Sequence, residues 1–489
     1  MNTELPVLQR HSPSTTGQER LARTVLNGDY CIGCGACAAL PESPVSLGAD
    51  PRGLLVAKVG DAATSPSNES VLKVCPFSSE GPDETELARG LFPDSISHHP
   101  ATGHYASIYA GRVVDDACFS AGSSGGVGRW ILAELLRKDL VDGVIHVGKH
   151  HSTDGVQPLY SYAVTDSAEE VLQTAQSAYH PVEMSQALKE IRSQPGRYAI
   201  TGVPCFIKAI RLLCLEDAVY RQRIRYCVGL ICGHLKSKRY AEMIGWQLGV
   251  PPSELGRLDF RRKLPGRKAN EKGVAAYTRD DPETPRGVDI VQHLYGTEYG
   301  LGFFKANACD YCDDVFAETA DVVVGDAWLP QYLHQGTSLV LARHPDLTNL
   351  IHEGVADGRL DLEPLSVEEA ARSQEGGLRH RRDGLRYRLH LKQRAGEWHP
   401  PKRVTPSSSH ITARYREIFG LRIKIAQESH HAFTAAVENM DFQRFRDRMD
   451  PIIAQYRAVY SRGWRRIAKK ILAPLGLVPL LRRLRRGIG

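Results

Sequence analysis

Eight of the eleven cysteines in this chain of 489 residues fall into two groups of four. The first group contains Cys31, Cys34, Cys37 and Cys75. The second group contains Cys205, Cys232, Cys309 and Cys312. Thiolates are soft ligands that suit iron–sulfur clusters or zinc. Because an iron–sulfur cluster carries electrons, the grouping predicts a redox protein.

The cysteine spacing of the first group resembles that of one half of a two-cluster bacterial ferredoxin. Its C-x2-C-x2-C run is followed far downstream by a cysteine that precedes Pro76. Pro41 stands where this run would place its own fourth cysteine, and Ser65, Asn68 and Val71 stand where a second run would place its first three. The sequence therefore predicts a single [4Fe–4S] cluster. The alternative is a zinc knuckle, although zinc usually takes two separated pairs.

The second group is less specific, because its C-x2-C pair also suits zinc or redox chemistry. Cys205 and Cys232 follow predicted strands, and the strand ends of α/β folds gather ligands in one crevice. From the spacing alone, an iron–sulfur cluster, a zinc site and a redox-active pair all remain open for this group. Two of the remaining cysteines, Cys214 and Cys227, are interpreted as small buried apolar residues.

Alternating strands and helices must position these groups. Apolar strands are predicted at 106–114, 144–147, 198–201, 225–232 and 321–325, with helical patterns after the first and third of them. The fold class predicted is α/β, or α+β over the whole chain. The predicted organisation is a flexible arm (1–27), a ferredoxin-type module (28–85), a linker (86–104), an α/β domain (105–365) and a helical, basic C-terminal extension (366–489).

A glycine-rich loop precedes the first helix of the α/β domain. Its residues are Ser123, Ser124, Gly125 and Gly126. Backbone amides at a helix N-terminus can cradle a phosphate, although the loop matches neither a P-loop nor G-x-G-x-x-G. A plain turn is the alternative.

Charge distribution excludes one class of partner and suggests another. The chain carries +6, and its last 29 residues contain nine arginines or lysines and no acid, so the rest carries −3. A nucleic-acid binder is not supported. No export signal or spanning apolar run is apparent, so we expect a cytoplasmic protein. The basic end, from Ser461 to Gly489, could contact the inner membrane face; the alternative is a capping helix with a disordered end.

Several phrases together resemble the family of coenzyme F420 hydrogenase/dehydrogenase beta subunits, over residues 28 to 365. They are Ser123–Gly126, Thr201–Cys205, Val228–Cys232, Phe260–Lys263, Cys309–Cys312, Ala320–Asp326 and Gly336–Val340. The resemblance implies that the second cysteine group binds another [4Fe–4S] cluster. It also implies FAD beside that cluster, with the loop at 123–126 and Thr201, Gly202 and Pro204 close to the flavin.

Two departures from the family pattern bear on the substrate. The chain reads Gln-Ser-Ala-Tyr at 176–179 where the family commonly has Gly-Ser-Lys-Tyr, and Phe206 stands where glutamine commonly follows the Gly-x-Pro-Cys phrase. These changes affect the deazaflavin site more than the clusters. Members with a fused ferredoxin module also reduce chlorophyll intermediates, so the family does not fix the substrate.

The resulting prediction is an iron–sulfur flavoprotein oxidoreductase that passes electrons between coenzyme F420 and ferredoxin or a partner subunit. Arg261, Arg262 and Lys263 are candidates for attracting an acidic substrate, with a solvated charged loop as the alternative. Two other functions remain open: a ferredoxin-dependent reductase of another unsaturated or carbonyl substrate, and a non-catalytic electron-transfer subunit.

Overall fold

The structure is a computed structural model that describes residues 16–60, 68–153, 157–174, 178–264, 267, 271–333 and 336–472. Its N-terminal part is a small module of short elements around the first cysteine group. These elements are α1 (Gly17–Leu21), a π-helical turn (Ala22–Leu26), α2 (Ala36–Ala39), β1 (Val45–Ala49), β2 (Leu55–Val59) and α3 (Ser70–Lys73). Strands β1 and β2 form an antiparallel hairpin.

The described part of the predicted arm, from Thr16 onward, begins with a helix. Thr16 caps α1 through a reciprocal capping box with Glu19, which satisfies backbone donors at the helix start. Leu21 and Val25, one helical turn apart, are fully buried against the module. Local capping and two apolar anchors therefore hold these residues against the module.

The predicted linker also contains regular structure. It holds α4 (Glu84–Leu91) and a short hairpin of β3 (Ser97–His99) and β4 (Gly103–Tyr105). Asp83 caps α4 through a second capping box with Glu86, and Leu87 and Ala88 are buried. The prolines that suggested a linker lie outside α4, so the segment folds onto the next domain as a helix and a hairpin.

A mixed eight-stranded sheet forms the centre of the chain. The elements of this region are β5 (Ser107–Val113), α5 (Asp116–Ala121), α6 (Val127–Arg137), β6 (Gly143–Lys149), β7 (Tyr160–Thr165), α7 (Ala168–Thr174), α8 (Ser185–Ser193), β8 (Tyr198–Gly202), α9 (Pro204–Glu216), α10 (Ala218–Arg223), β9 (Ile224–Leu230), α11 (Lys238–Gln247), β10 (Leu255–Arg262), β11 (Gly273–Thr278), β12 (Gly287–Ile290), β13 (Val322–Asp326), β14 (Ser338–Ala342), α12 (Pro345–Ala356) and β15 (Leu360–Pro364). The strand order is β15-β5-β14-β13-β9-β8-β6-β7.

The middle of this sheet is parallel and its two sides are antiparallel. Strands β13, β9, β8 and β6 run in the same direction, whereas β14, β5, β15 and β7 join antiparallel to their neighbours. The carboxyl ends of the parallel strands therefore meet at one edge, where ligands bind in α/β sheets. The predicted α/β alternation of this region is confirmed.

Both faces of the sheet are covered. Successive residues of β13 point to opposite sides: Val322 and Val324 pack with α6 and α12, whereas Val323 packs with α9 and the N-terminal module. Strands buried on both faces read as continuous apolar runs, which explains the sequence of β13.

A second layer is built from an antiparallel sheet and the C-terminal helices. Strands β10, β11 and β12 form a three-stranded sheet. The helices are α13 (Val367–Ser373), α14 (Glu375–Arg381), α15 (Asp383–Ala395), α16 (Ala413–Glu438) and α17 (Phe442–Leu472). Helices α16 and α17 pack as a hairpin against α11 and this sheet through a shared apolar core.

The C-terminal range that was predicted to be helical is helical over most of its described part. Among the described residues, no helix has both the length and the apolar character needed to cross a membrane. Most of the basic end that suggested membrane contact, residues 473–489, lies outside the described residues, as do Ser65, Gln176 and Ser177.

Candidate functional site

The first cysteine group converges in the N-terminal module. Burial raises the pKa of the Cys37 thiol well above its ordinary value, and the neighbouring thiols of Cys34, Cys31 and Cys75 raise it further. This mutual effect shows that the four sulfur atoms lie within electrostatic range of one another. Cys34 is buried, whereas the other three are half-buried.

The backbone around this group is shaped by left-handed glycines. Gly33 and Gly35 have φ angles of 63° and 86°, which residues with a side chain rarely adopt. The amides of Gly33 and Ala57 donate to Cys31 Sγ, with N···S distances of 3.4 and 3.3 Å. Amides directed at sulfur stabilise a thiolate, so the chemistry of the donors fits a cluster ligand.

The second cysteine group converges at the carboxyl ends of the parallel strands. Cys205 lies in the first turn of α9 after β8, and Cys232 follows β9. Cys309 and Cys312 lie in and directly after a 3-10 helix (Asn307–Tyr311). Burial raises the pKa of Cys205, and the thiols of Cys312, Cys232 and Cys309 add to the rise, so these four sulfur atoms also lie near one another.

A buried arginine lies beside the second group. Arg381, at the end of α14, is fully buried, and its Nη2 lies 3.7 Å from Cys232 Sγ. Its guanidinium also donates to the carbonyl oxygens of Gly233 (2.7 Å) and Asp314 (3.0 Å). The amide of Leu235 donates to Cys309 Sγ at 3.1 Å. A cation and an amide directed at sulfur suit thiolates that bind a metal cluster.

One aromatic side chain, Tyr162, lies within electrostatic range of both groups. Burial raises the pKa of Tyr162, and the thiols of Cys205 and Cys34, one from each group, raise it further. The Tyr162 hydroxyl donates to the Thr201 carbonyl oxygen at 2.9 Å, and its ring stacks on Phe206 with centroids 6.2 Å apart. The two groups are therefore neighbours.

A cavity of about 1310 Å³ opens beside the second group, and Cys232 is part of its wall. Pockets for a single small ligand are typically about 300–1,000 Å³, so this cavity has room for more than one. Its walls come from the sheet edge, from β10 and the segment after β12, and from helices α14, α16 and α17.

Most of the predicted flavin residues line this cavity. They are Ser123, Ser124, Gly126, Thr201 and Gly202. Gly126, with a φ of 82°, is the N-cap of α6, so the loop does lead into a helix N-terminus. Gly125 instead packs against the backbone, where a Cβ atom would lie 2.5 Å from the Gly111 carbonyl oxygen. Pro204 is buried in the first turn of α9; neither it nor Gly125 is part of the wall.

Of the three basic residues predicted to attract the substrate, Arg261 alone lines the cavity. Its Nη2 is ion-paired with Asp326 at 2.8 Å. Lys263 is directed elsewhere: its ammonium hydrogen-bonds to the Phe119 carbonyl oxygen and lies 3.1 Å from the centroid of the Phe119 ring. The structure therefore does not bring Arg261, Arg262 and Lys263 together as a cavity-lining cluster.

Many nitrogen-bearing side chains of the cavity wall were not predicted, and four of them form a set beside Cys232. They are His234, Lys236, His380 and Arg422. His234 and Lys236 follow Cys232 closely, and their position beyond a strand end was the available signal in the sequence. His380 and Arg422 come from α14 and α16, so no local pattern relates them to the cysteines.

In the ranges that the structure describes, no group of three or more His, Cys, Asp or Glu side chains is arranged so that it could hold a metal ion. The structure places the two cysteine groups and the cavity side by side, with donors that suit thiolate ligands.

Similarity to known proteins agrees with this arrangement. Residues 108–189 match the family model for the N-terminal part of the coenzyme F420 hydrogenase/dehydrogenase beta subunit, and residues 196–368 match the model for its C-terminal part. Together the two matched ranges cover about half of the chain. They include the second cysteine group, whereas the first group and the helices after 368 lie outside them.

Two relatives are similar over much of the chain. One is named as one of the subunits of F(420)H(2) dehydrogenase from Methanosarcina mazei, and it is 23% identical over 313 residues, or 63% of this chain and 78% of the relative. The other is a chain in a structure of the F420-reducing [NiFe] hydrogenase complex from Methanosarcina barkeri, with a TM-score of 0.46 and 17% identity over 65% of this chain and 100% of that one. On the family matches, this chain belongs to the family of coenzyme F420 hydrogenase/dehydrogenase beta subunits.

Proposed function

We propose that this chain is an iron–sulfur flavoprotein oxidoreductase that passes electrons between a redox protein and coenzyme F420. The observation that carries the proposal is the position of Cys232, which belongs to the second cysteine group and also lines the large cavity. A cluster bound there would lie against a flavin in the cavity. The fold would supply position and electrostatics, and the cofactors the redox chemistry.

The residues suggest a role for each cofactor. FAD would lie against Ser123, Ser124 and Gly126, with Thr201 and Gly202 close to it. One [4Fe–4S] cluster would take the second cysteine group and the other would take the first. FAD exchanges electron pairs with an organic substrate and single electrons with clusters, so it suits the position between the two.

The greater exposure of the first cysteine group favours a cluster bound there as the contact to a partner. Cys31, Cys37 and Cys75 are half-buried, whereas Cys232, Cys309 and Cys312 are buried. A partner could therefore approach the first group more closely. We infer that the partner is ferredoxin or another protein of the same complex, since the Methanosarcina mazei relative is named as a component of a larger dehydrogenase.

A second candidate is a ferredoxin-dependent reductase of another unsaturated or carbonyl substrate. Ala178, which stands where the family commonly has a lysine, lines the cavity, and so does Phe206, which stands where glutamine is common. The cavity thus carries two apolar side chains where the family has polar ones. This difference favours a substrate other than F420.

Anaerobic purification followed by iron, zinc and flavin analysis tests the cofactors. We expect about eight iron atoms and one FAD per chain, the content implied by two four-iron clusters and one flavin. Bleaching of the flavin by reduced F420 supports the first proposal, and bleaching by reduced ferredoxin alone supports the second. Iron without flavin would indicate a non-catalytic relay, and zinc without iron would contradict all three.

A pair of cysteine variants tests the second cluster. Cys309→Ser is expected to lose about half of the iron, because one of two four-iron clusters would lack a ligand. Cys227→Ser is the matched control, since Cys227 is equally buried but belongs to neither group. Equal iron contents in both variants would contradict the assignment.

A further inference from the structure

The cavity wall beside Cys232 carries a concentration of basic side chains. Lys236 is 3% exposed and His234 and His380 are each 5% exposed, and all three line the cavity together with Arg422. Burial, with the charges of Lys305 and Arg422, holds the pKa of Lys236 well below its ordinary value. These basic side chains therefore lie within electrostatic range of one another.

Two of these side chains, Lys236 and Arg422, lack acidic partners in the described part of the chain. Neither Lys236 nor Arg422 forms an ion pair there; the Lys236 ammonium donates to the Phe303 carbonyl oxygen at 2.6 Å and lies 4.5 Å from the centroid of the Tyr240 ring. The nearby carboxylate of Asp310 is already 2.6 Å from Lys305 Nζ. It also lies 3.0 Å from His380 Nε2.

Three buried nitrogen atoms here also have no hydrogen-bond partner among the described residues. They are His234 Nε2, Arg422 Nε and His380 Nδ1. A buried polar group without a partner costs free energy, and a buried charge without one costs more. An anionic group of a ligand in the cavity would supply the missing partner.

The thiolates do not supply the whole of that missing charge. Arg381 already lies 3.7 Å from Cys232 Sγ and takes its largest electrostatic contributions from the four thiols of the second group. The unpartnered nitrogen atoms belong to other side chains, which line the cavity rather than contact the sulfur atoms. The anion that pairs with them would therefore belong to a ligand in the cavity.

We propose that His234, Lys236, His380 and Arg422 form a subsite for an oxyanion, a phosphate or carboxylate group on a ligand of the cavity. The inference rests on the proposed function only in taking that ligand to be FAD or the deazaflavin coenzyme, both of which carry anionic groups. His380 and Arg422 lie outside the residues matched to the family. The C-terminal helices thus add a recognition element to the family domain.

The subsite is separate from the glycine-rich loop. Ser123, Ser124 and Gly126 present the N-terminus of α6, whereas Lys236 follows β9 and Arg422 lies on α16. The cavity therefore has two regions that attract anions, consistent with its room for two ligands. Either the flavin spans both regions, or the flavin takes the loop and the coenzyme takes the subsite.

Substitution of Arg422 distinguishes these cases. Arg422→Gln removes the charge at a side chain that is only partly buried, and Arg422→Lys keeps the charge. Arg457→Gln is the matched control, because Arg457 lines the same cavity but is exposed and already paired with Glu298 at 3.1 Å. Iron content and circular dichroism establish that each anaerobically purified variant is folded.

Three measurements are made on each variant: the affinity for inorganic pyrophosphate, the FAD content, and the affinity for F420. We expect Arg422→Gln to weaken at least one of the two affinities roughly 10- to 100-fold, or to lose FAD. Arg457→Gln should stay within about twofold of the unaltered protein, as expected for an exposed pair. Arg422→Lys should recover most of the affinity.

The results show which ligand supplies the anionic group that binds at the subsite. Loss of FAD by Arg422→Gln identifies the flavin phosphates, and weaker F420 binding with FAD retained identifies the coenzyme tail. If all three measurements match the unaltered protein, the subsite is refuted. Pyrophosphate binding that depends on Arg422 would support the subsite even where reduced F420 fails to bleach the flavin, so the two proposals fail separately.

Discussion

Removing the charge of Arg381 is predicted to lower the reduction potential of the cluster that we propose for the second cysteine group. Its Nη2 lies 3.7 Å from Cys232 Sγ, and the side chain is fully buried. Two unit charges at that distance interact by about 4.5 kcal/mol at an effective dielectric constant of about 20. Since an added electron spreads over the whole cluster, we take a third to a half of that value. The expected shift is about 65–100 mV toward more negative potential, at about 59 mV per tenfold change for one electron.

The assay is a potentiometric titration followed by electron paramagnetic resonance. Arg381→Gln is compared with Arg381→Lys, which keeps the charge but loses the guanidinium bonds to Gly233 and Asp314. We expect a large shift for the glutamine variant and a small one for the lysine variant, with the potential of the first cluster unchanged in both. Equal shifts in the two variants, or none in a glutamine variant with full iron content, would refute the electrostatic reasoning.

Three further changes have defined outcomes. Gly125→Ala should reduce FAD content while iron is retained, because its Cβ would lie 2.5 Å from a backbone oxygen; Gly90→Ala, where nothing lies within 4 Å, is the control. Lys208→Met should lower the free energy of unfolding by up to about 3 kcal/mol in a urea titration, since the buried Glu84 carboxylate loses its nearer cation, at 3.3 Å, and keeps Arg403 Nε at 3.6 Å. Burial and the charge of Arg52 hold the pKa of His430 at about 4, so its unfolded form binds protons first as the pH falls. Stability should therefore decline between about pH 6.5 and 4 by up to about 3 kcal/mol, and His430→Gln should decline less.

The sequence predicted the central strands well because they are buried on both faces. The strand predicted at 225–232 is β9, from Ile224 to Leu230, and the strand predicted at 321–325 is β13, from Val322 to Asp326. Continuous apolar runs of this length allow few alternatives to a buried strand. The convergence of Cys205 with Cys232 followed from the same pattern, because both residues come after neighbouring parallel strands.

Local capping explains two helices that the sequence analysis did not predict. They lie at the end of the predicted arm (1–27) and at the start of the predicted linker (86–104). Thr16 with Glu19, and Asp83 with Glu86, are nevertheless capping boxes that start helices α1 and α4. Such pairs are visible in the sequence, so these two helices could have been found by searching for the motif.

The role of the C-terminal arginines could not be predicted, because it depends on contacts between distant parts of the chain. A basic helical segment usually indicates a solvated surface, yet Arg381 and Arg388 are fully buried. The reason is the acidic loop that carries Cys309 and Cys312. Arg388 Nε donates to the Asp310 carbonyl oxygen at 2.7 Å, and Arg403, 12% exposed at its side chain, is ion-paired with Asp313 at 3.1 Å.

These pairings connect the C-terminal region to the loop that carries Cys309 and Cys312. A buried carboxylate that loses its cation is strongly destabilising, so Asp313 depends on Arg403. Arg403 also contacts Glu318, whose carboxylate lies 2.6 Å from its Nη1 and is buried. The acidic loop belongs to the matched family range and the arginines lie beyond it. The acids of the loop and the C-terminal arginines are therefore complementary in charge.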